Sequence, residues 1–444
     1  MQFRHLEFTN AYNAVQLQER NNDENKYDDL SSSFQFDDAT PTTDELDDLF
    51  GAIQFINLLP HDHQPSTLST KNSHNTNSIV DKEILVKSSE RCSLIRHAYQ
   101  IVGQGDTFEE LANSAIEHNL LKDLITPSSP ISWCLRLREY GTTTDKTKRY
   151  GTRKRNSMTK EKVALSSMST NLLSKFTGPV KLSNPDCPLY VFEGLNNGID
   201  GKRGIKKYTL VRGVATGPQT SIIAPNSRKC ITRTPLCPIA AFLLCNLAGV
   251  KDGDYILDPF AGSCTTLLAA AMIANGTTTV GVEIASDTVV NRDDIELDFT
   301  SRGLNCPESL IEGDITVEKI RDEARGAISG KSNKKRFDVV IADPPYGIRE
   351  AMGDSDDSIH DEYVTPLVRL VQCIAEDRLN GKELIKKGGR LVAFVPILTG
   401  EEIKDGLPSD ALLAKAGLHF VDIREQPLSE TLSRWLVIYE SNSK

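Results

Sequence analysis

Phe337-Asp338-Val339-Val340-Ile341-Ala342-Asp343-Pro344-Pro345-Tyr346-Gly347 decides how this 444-residue chain reads. Residues 337–341 are apolar apart from Asp338. A run that short and that continuous predicts a strand buried on both faces, as strands of a parallel sheet are. Two prolines then stiffen the chain and stop the strand. An acid, a rigid turn and an aromatic ring thus stand at the carboxyl end of a buried strand. Open α/β sheets bind their ligands at such ends.

The pattern extends outward from this strand. Upstream, Tyr255-Ile256-Leu257 reads as a short buried strand. Residues 265–275 read as a helix capped by Ser263 and stopped by Gly276. Strands at 279–282 and 309–311 follow, with a helix between them. Downstream, a helix over about 363–375 precedes a strand at 390–395. Strands at 419–423 and 435–439 close the chain with no helix between them, so they pair as a hairpin. The alternation predicts an α/β, doubly wound, mostly parallel sheet of about seven strands whose last strand is antiparallel. That ending is typical of class I methyltransferases and differs from the nicotinamide-binding order.

Three further strand ends carry acids. The first ends in Asp258-Pro259-Phe260-Ala261-Gly262-Ser263, a small-residue turn that lets a ligand approach backbone amides at a helix start. No GxGxxG follows, which argues against a dinucleotide pyrophosphate. The second ends in Glu283, where a carboxylate can accept from both ribose hydroxyls. The third ends in Gly313-Asp314, where a carboxylate can accept from an adenine amine. One such acid is commonly a helix cap, but three on successive strands describe an adenosine-shaped site. Asp343-Pro344-Pro345-Tyr346 then fits the [DN]PP[YFW] pattern of amino-methyltransferases. An exocyclic amine is a poor nucleophile because its lone pair is delocalised into the ring. Asp343 and the Pro344 carbonyl can each accept one N–H, drawing the nitrogen toward tetrahedral geometry. Tyr346 can stack on a flipped base. On this reading its ring matters more than its hydroxyl, and Tyr346→Phe is expected to be mild.

With these residues in place, the chain resembles the THUMP-containing tRNA guanine-10 N2-methyltransferases of eukaryotes and archaea. Residues 341–350, Ile-Ala-Asp-Pro-Pro-Tyr-Gly-Ile-Arg-Glu, match their signature. Asp258-Pro259-Phe260 with Leu267-Leu268-Ala269 match their first motif, and Gly389-Arg390-Leu391-Val392, Gln426-Pro427-Leu428-Ser429 and Ser433-Arg434 match later ones. Arg91-Cys92-Ser93-Leu94 through Gly103-Gln104-Gly105 look like the start of the THUMP region. The resemblance implies S-adenosylmethionine as cofactor and the N2 amine of a guanine in tRNA as target. It places Thr234 near the methionine carboxylate, implies cytoplasmic tRNA processing, and implies a small zinc-binding activator subunit as partner. Two residues depart from the pattern. Cys264 stands where the family has glycine, and Glu283 where close relatives often have Asp.

The N-terminal half is less regular. Residues 18–48 and 61–77 are polar and aperiodic and read as loops or disorder, with a strand expected at 52–56. A helix is expected to open at Thr107 and a strand at 133–138. These features predict a ferredoxin-like or THUMP-like RNA-binding region over 1–195, a linker over 196–228 and the methyltransferase domain over 229–444. Nearly all of the formal net charge of -10 lies in residues 1–60, which hold twelve acids against three bases. Elsewhere the bases cluster: Lys146, Lys148, Arg149, Arg153, Lys154 and Arg155, then Lys202, Arg203, Lys206 and Lys207, then Lys331, Lys334, Lys335 and Arg336. Such groups can contact phosphates or form solvated loops. The nine cysteines are scattered, without metal-ligand spacing, and read as reduced thiols, with no metal site. No apolar run is long enough for a membrane span and no secretory leader is read at Met1. Two other functions fit parts of this pattern: an adenine amino-methyltransferase acting on DNA or RNA, and an RNA-binding subunit with a decayed cofactor site. Asp rather than Asn at 343 suits guanine, whose N1–H and N2–H are adjacent donors.

Overall fold

The structure, a computed structural model, describes residues 2–22, 82–126, 130–139, 158–193, 206–232, 234–285, 290–329, 336–346, 364–398 and 400–442. The expected strand at 52–56, the polar stretch 61–77, the basic group at 146–155, Lys202, Arg203, Lys331, Lys334, Lys335 and residues 347–350 lie outside them. The chain divides into two units. One holds, among the described residues, 82–89 and 96–216. The other holds 90–95 and 217–444 together with the N-terminal helix.

Helices α1 (Gln2–Asn22) and α2 (Lys82–Arg91) come first. The smaller unit then runs β1 (His97–Gly105), α3 (Phe108–Glu117), α4 (Lys122–Ile125), β2 (Trp133–Glu139), α5 (Met158–Ser169), β3 (Cys187–Glu193) and β4 (Tyr208–Thr216). Thr107 caps α3 as expected, its hydroxyl oxygen accepting from the Glu110 N–H at 3.1 Å. The sheet order is β1-β4-β3-β2, with β2 and β3 parallel and β4 antiparallel to both neighbours. Alternate residues Leu135, Leu137, Leu189 and Val191 bury against Leu111 and Ala115 of α3 and Met168 of α5.

Two expectations about boundaries need correction. β4 lies inside 196–228, which is therefore not all linker, and the smaller unit extends to 216. β4 inserts between β1 and β3 and has buried Leu210 at its centre, so it is an inner strand of the sheet. Residues 18–22 of the polar stretch are helical, and α1 belongs to the larger unit. Its Phe8, Ala11, Tyr12 and Val15 form one buried helical stripe. Buried Glu7 accepts from the Ser93 and Leu94 N–H groups, at 2.8 and 3.0 Å, and from the Asn246 side chain at 2.9 Å.

The larger unit continues with α6 (Pro238–Leu247), β5 (Tyr255–Asp258), α7 (Thr265–Ile273), β6 (Thr278–Glu283), α8 (Arg292–Thr300), β7 (Ser309–Glu312), α9 (Glu318–Ser329) and β8 (Phe337–Ala342). It ends with α10 (Pro366–Leu379), β9 (Ile385–Leu398), α11 (Asp410–Ala416), β10 (Leu418–Pro427) and β11 (Leu432–Ser441). The seven strands are ordered β10-β11-β9-β8-β5-β6-β7. β11 is antiparallel to both neighbours, and the pairings from β9 to β7 are parallel. This is the class I methyltransferase order. Period-two alternation splits each strand between two layers. Ile256, Val339, Val392 and Leu436 pack with α6 and α7, while Leu257, Val340, Ala393 and Val437 pack with α10 and α11. The expected cap at Ser263 is corrected: Cys264 holds the N-cap position of α7, in a left-handed conformation and with no side-chain cap bond.

Candidate active site

Four neighbouring strands, β7, β6, β5 and β8, end at one rim of the sheet, and the acids read from the sequence stand there. Asp258 closes β5 and is fully buried. Its two oxygens accept from the Thr266 hydroxyl and from the Phe260 N–H, the latter at 2.9 Å, so the carboxylate organises the turn that follows it. Burial pushes this carboxyl up to about 7, against the pull of those two bonds, and the charges of Asp343 and Glu283 push the same way. In the turn Pro259 is buried, Phe260 is half-buried and Gly262 has φ +49°. Ser263 is buried with its hydroxyl 3.4 Å from that of Thr265.

Glu283 closes β6 and ties the turn to it. Its Oε2 accepts from the Gly262 N–H at 2.7 Å and its Oε1 from the Ala285 N–H at 2.9 Å. Each carboxylate oxygen has capacity for a second bond, which is what a ribose diol requires. Ala261, Gly262, Cys264, Glu283, Ala285 and Ile311 line a narrow cleft there. Gly281 keeps the strands close behind it, since a Cβ would fall 2.9 Å from both the Ala261 Cβ and a Leu310 methyl. Asp314 follows β7, its Oδ1 accepting from the Thr316 N–H at 2.8 Å. Gly313 lets the chain turn beneath Ile320, whose Cδ1 would lie 2.5 Å from an added Cβ. A small-residue wall with a carboxylate at each of two strand ends fits adenosine. Thr234 is exposed and lies ahead of α6.

Asp343 follows β8, with Pro344 buried and Pro345 exposed. The half-buried Tyr346 turns back on this acid: its hydroxyl donates to Asp343 Oδ1 at 2.9 Å. Arg434 of β11 donates to the same hydroxyl at 3.3 Å. The guanidinium carbon of Arg434 lies 4.1 Å above the Phe394 ring, and its Nε donates to Gln426 Oε1 at 2.7 Å. Burial, then the Asp343 charge, hold the Tyr346 hydroxyl well above the usual range, so it stays a donor. The hydroxyl is thus held between Asp343 and Arg434, a contact that the sequence reading, which singled out the ring, did not include.

Sequence reasoning missed the roles of Thr266, Arg434, Gln426 and Arg228. Arg434 and Gln426 stood within resembling motifs with no role attached. Arg228 left no signal, being far from the turn it touches. Two of the described bases in the expected phosphate-binding groups are instead paired: Lys206 with Asp106 at 2.9 Å and Arg336 with Glu383 at 2.7 Å. All nine cysteines are free. Among the described residues no cluster of His, Cys, Asp or Glu is arranged for a metal, and no helix is long and apolar enough to cross a membrane.

Known proteins are similar to parts of this chain. The tRNA (guanine(10)-N(2))-methyltransferase TRMT11 of Xenopus laevis is 24% identical over 387 residues, covering 82% of this chain and 75% of that one. The tRNA (guanine(10)-N2)-dimethyltransferase of Methanocaldococcus jannaschii is 30% identical over 131 residues, covering 29% of this chain and 33% of that one. Among solved structures, TrmN from Thermus thermophilus is 17% identical, with a TM-score of 0.35, over 79% of this chain and 84% of that chain. Residues 225–375 match the UPF0020 family model, described as an RMKL-like methyltransferase domain, so the segment holding all four strand-end acids is similar to a methyltransferase domain.

Proposed function

We propose that this chain transfers a methyl group from S-adenosylmethionine to the exocyclic N2 amine of a guanine in tRNA. The observation that carries this reading is Asp343, held by the Tyr346 hydroxyl at the end of β8, beside a turn that Glu283 binds. Glu283 holds the ribose, Asp314 the adenine amine, Thr234 the methionine carboxylate, and the backbone from Asp258 through Pro259, Phe260, Gly262 and Ser263 shapes the floor. When bound, S-adenosylmethionine supplies an electrophilic methyl group. Asp343 and the Pro344 carbonyl each accept one N–H of the amine and direct its lone pair, and Pro345 keeps that carbonyl rigid. Tyr346 supports the flipped base with its ring and Asp343 with its hydroxyl. Asp343 need not remove a proton beforehand, because the methylated amine loses its conjugation with the ring and releases its proton readily. The work is alignment and electrostatics.

The names of the TRMT11 relatives support the guanine-10 position and tRNA as substrate. The smaller α+β unit is read as the THUMP-like RNA-binding part. A small zinc-binding activator subunit and a cytoplasmic setting complete the proposal, both from the resemblance. Incubating the protein and its activator with unmodified tRNA and labelled S-adenosylmethionine, followed by nucleoside mass spectrometry, tests it. N2-methylguanosine is expected, and its loss in Asp343→Ala. N6-methyladenosine as product would overturn the substrate, and full activity in Asp343→Ala would overturn the mechanism.

A further inference from the structure

Arg228 lies in the segment that leads to α6, and its side chain is 2% exposed. It reaches the turn after β5 at three points. Its Nη1 donates to the Thr265 hydroxyl at 2.7 Å and lies 3.5 Å from the Ser263 hydroxyl, and its Nη2 donates to the Ser263 carbonyl. Its Nε donates to Asp298 of α8 at 3.1 Å. Asp298 in turn accepts from the Lys229 and Cys230 N–H groups at 2.9 and 3.2 Å, and from Arg302 at 3.3 Å. The Arg228 guanidinium is thus itself held in place before it touches the turn.

What it touches is a strained peptide. Cys264 has φ 60° and ψ 32°, a left-handed conformation that residues with a Cβ adopt at a cost and glycine adopts freely. The peptide linking Ser263 to Cys264 is fastened at both ends. Its carbonyl accepts from Arg228, and its N–H donates to the Ala261 carbonyl at 2.6 Å. With both ends fixed, the peptide plane cannot rotate and the left-handed φ is imposed. Ala261 and Gly262 of the same turn are bonded to β6, through the Val282 carbonyl at 2.9 Å and Glu283 Oε2 at 2.7 Å. A turn that relaxed at Cys264 would carry the Glu283 contact with it.

We propose that Arg228 is a positioning residue that imposes the left-handed turn at Cys264 and thereby sets the cofactor site. This rests on the reading that the turn binds S-adenosylmethionine. Lys at 228 cannot span three partners with a planar fork. Asp298 would still keep two backbone donors and Arg302, so Arg228→Lys should fold. Glycine at 264 makes the clamp unnecessary.

The test is a cycle of wild type, Arg228→Lys, Cys264→Gly and the double variant. S-adenosylhomocysteine affinity is read by calorimetry, and exchange of the backbone amide hydrogen at position 264 by NMR or mass spectrometry. Arg228→Lys should weaken binding about tenfold or more and speed that exchange. Cys264→Gly is the reference for the double variant, and in the Arg228→Lys background the glycine should recover most of the loss. Wild-type affinity and exchange in Arg228→Lys would overturn the proposal. So would a loss that glycine does not rescue. If Arg228→Lys did not fold, folding of the double variant would support the clamp and its failure would overturn it. Absence of binding by wild type would instead strike at the cofactor reading, and the exchange data would still decide the role of Arg228.

Discussion

Replacing Tyr346 with Phe removes one oxygen and keeps the ring. The oxygen makes two bonds: it donates to Asp343 at 2.9 Å and accepts from Arg434 at 3.3 Å. The second is long and contributes little. The first is charge-assisted, in a pocket where the tyrosine is largely out of water. A hydrogen bond to a charged group contributes about 1.5–3 kcal/mol. At ~1.36 kcal/mol per tenfold in rate, loss of that restraint predicts a single-turnover rate roughly ten- to hundredfold lower. Cofactor affinity should not change, because Glu283 and Asp314 stand on other strands. The assay is single-turnover methylation of unmodified tRNA at saturating S-adenosylmethionine, quenched in time and read as N2-methylguanosine by nucleoside mass spectrometry. Full rate in Tyr346→Phe would refute the idea that Asp343 is oriented through this hydroxyl. A matching fall in cofactor affinity would refute the division of labour between strands.

The other predictions concern binding and stability. Glu283→Gln loses one carboxylate oxygen and turns an amide donor toward a backbone N–H. S-adenosylhomocysteine affinity should fall by about 1–3 kcal/mol, and calorimetry showing wild-type affinity would remove Glu283 from the ribose. Asp258 keeps its proton in the folded state up to about pH 7, whereas the unfolded chain has lost it well below that. The folded state therefore binds the extra proton in this window, and the contribution of Asp258 to stability falls as pH rises from about 4 to 7. Asp258→Asn should flatten that part of the unfolding profile, and an unchanged slope in urea melts would refute the assignment. Asp377 of α10 is buried and accepts from Arg321 at 2.8 and 3.0 Å and from Arg325 at 2.7 Å. Asp377→Ala removes the bidentate carboxylate of buried Arg321, while Arg325 keeps Asp322 at 2.6 Å, and should cost about 3–5 kcal/mol, measured by denaturant unfolding. A loss below about 1 kcal/mol would mean that water reaches the pair.

The parallel strands were legible because burial on both faces leaves an unbroken apolar run, as in Val339-Val340-Ile341, where all three side chains are buried. The strand-end acids were legible for the complementary reason, since a carboxylate directly after such a run has to face the rim. β4 was not legible. Lys206 and Lys207 directly precede it, and its place between β1 and β3 is a long-range fact. α1 was obscured by its Asn and Gln content, and its burial depends on Asn246 and other residues far along the chain. The same holds for the site. Acids that cap strands announced themselves, whereas Arg228 and Arg434 act 35 and 88 residues away from their partners, and no local pattern records such distances.

The clasp between Glu7 and Asn246 spans 239 residues of chain. At roughly 5–20 residues per second of synthesis, the first helix leaves the ribosome about 10–50 s before its partner exists. During that interval Phe8, Tyr12 and Val15 have no α6 to cover them. The catalytic sheet also waits for β11, which lies between β9 and β10 and includes residues 432–441 of 444. The larger unit is thus closed by α1 and β11, elements far apart along the chain, while the smaller unit is complete once residue 216 has emerged. The order of maturation therefore runs from the middle of the chain outward. A catalytic fragment cut to begin at residue 217 would leave bare the side of α6 on which α1 packs, and a nascent chain stalled before residue 432 would present a first helix and an unfinished sheet together to the chaperones around it.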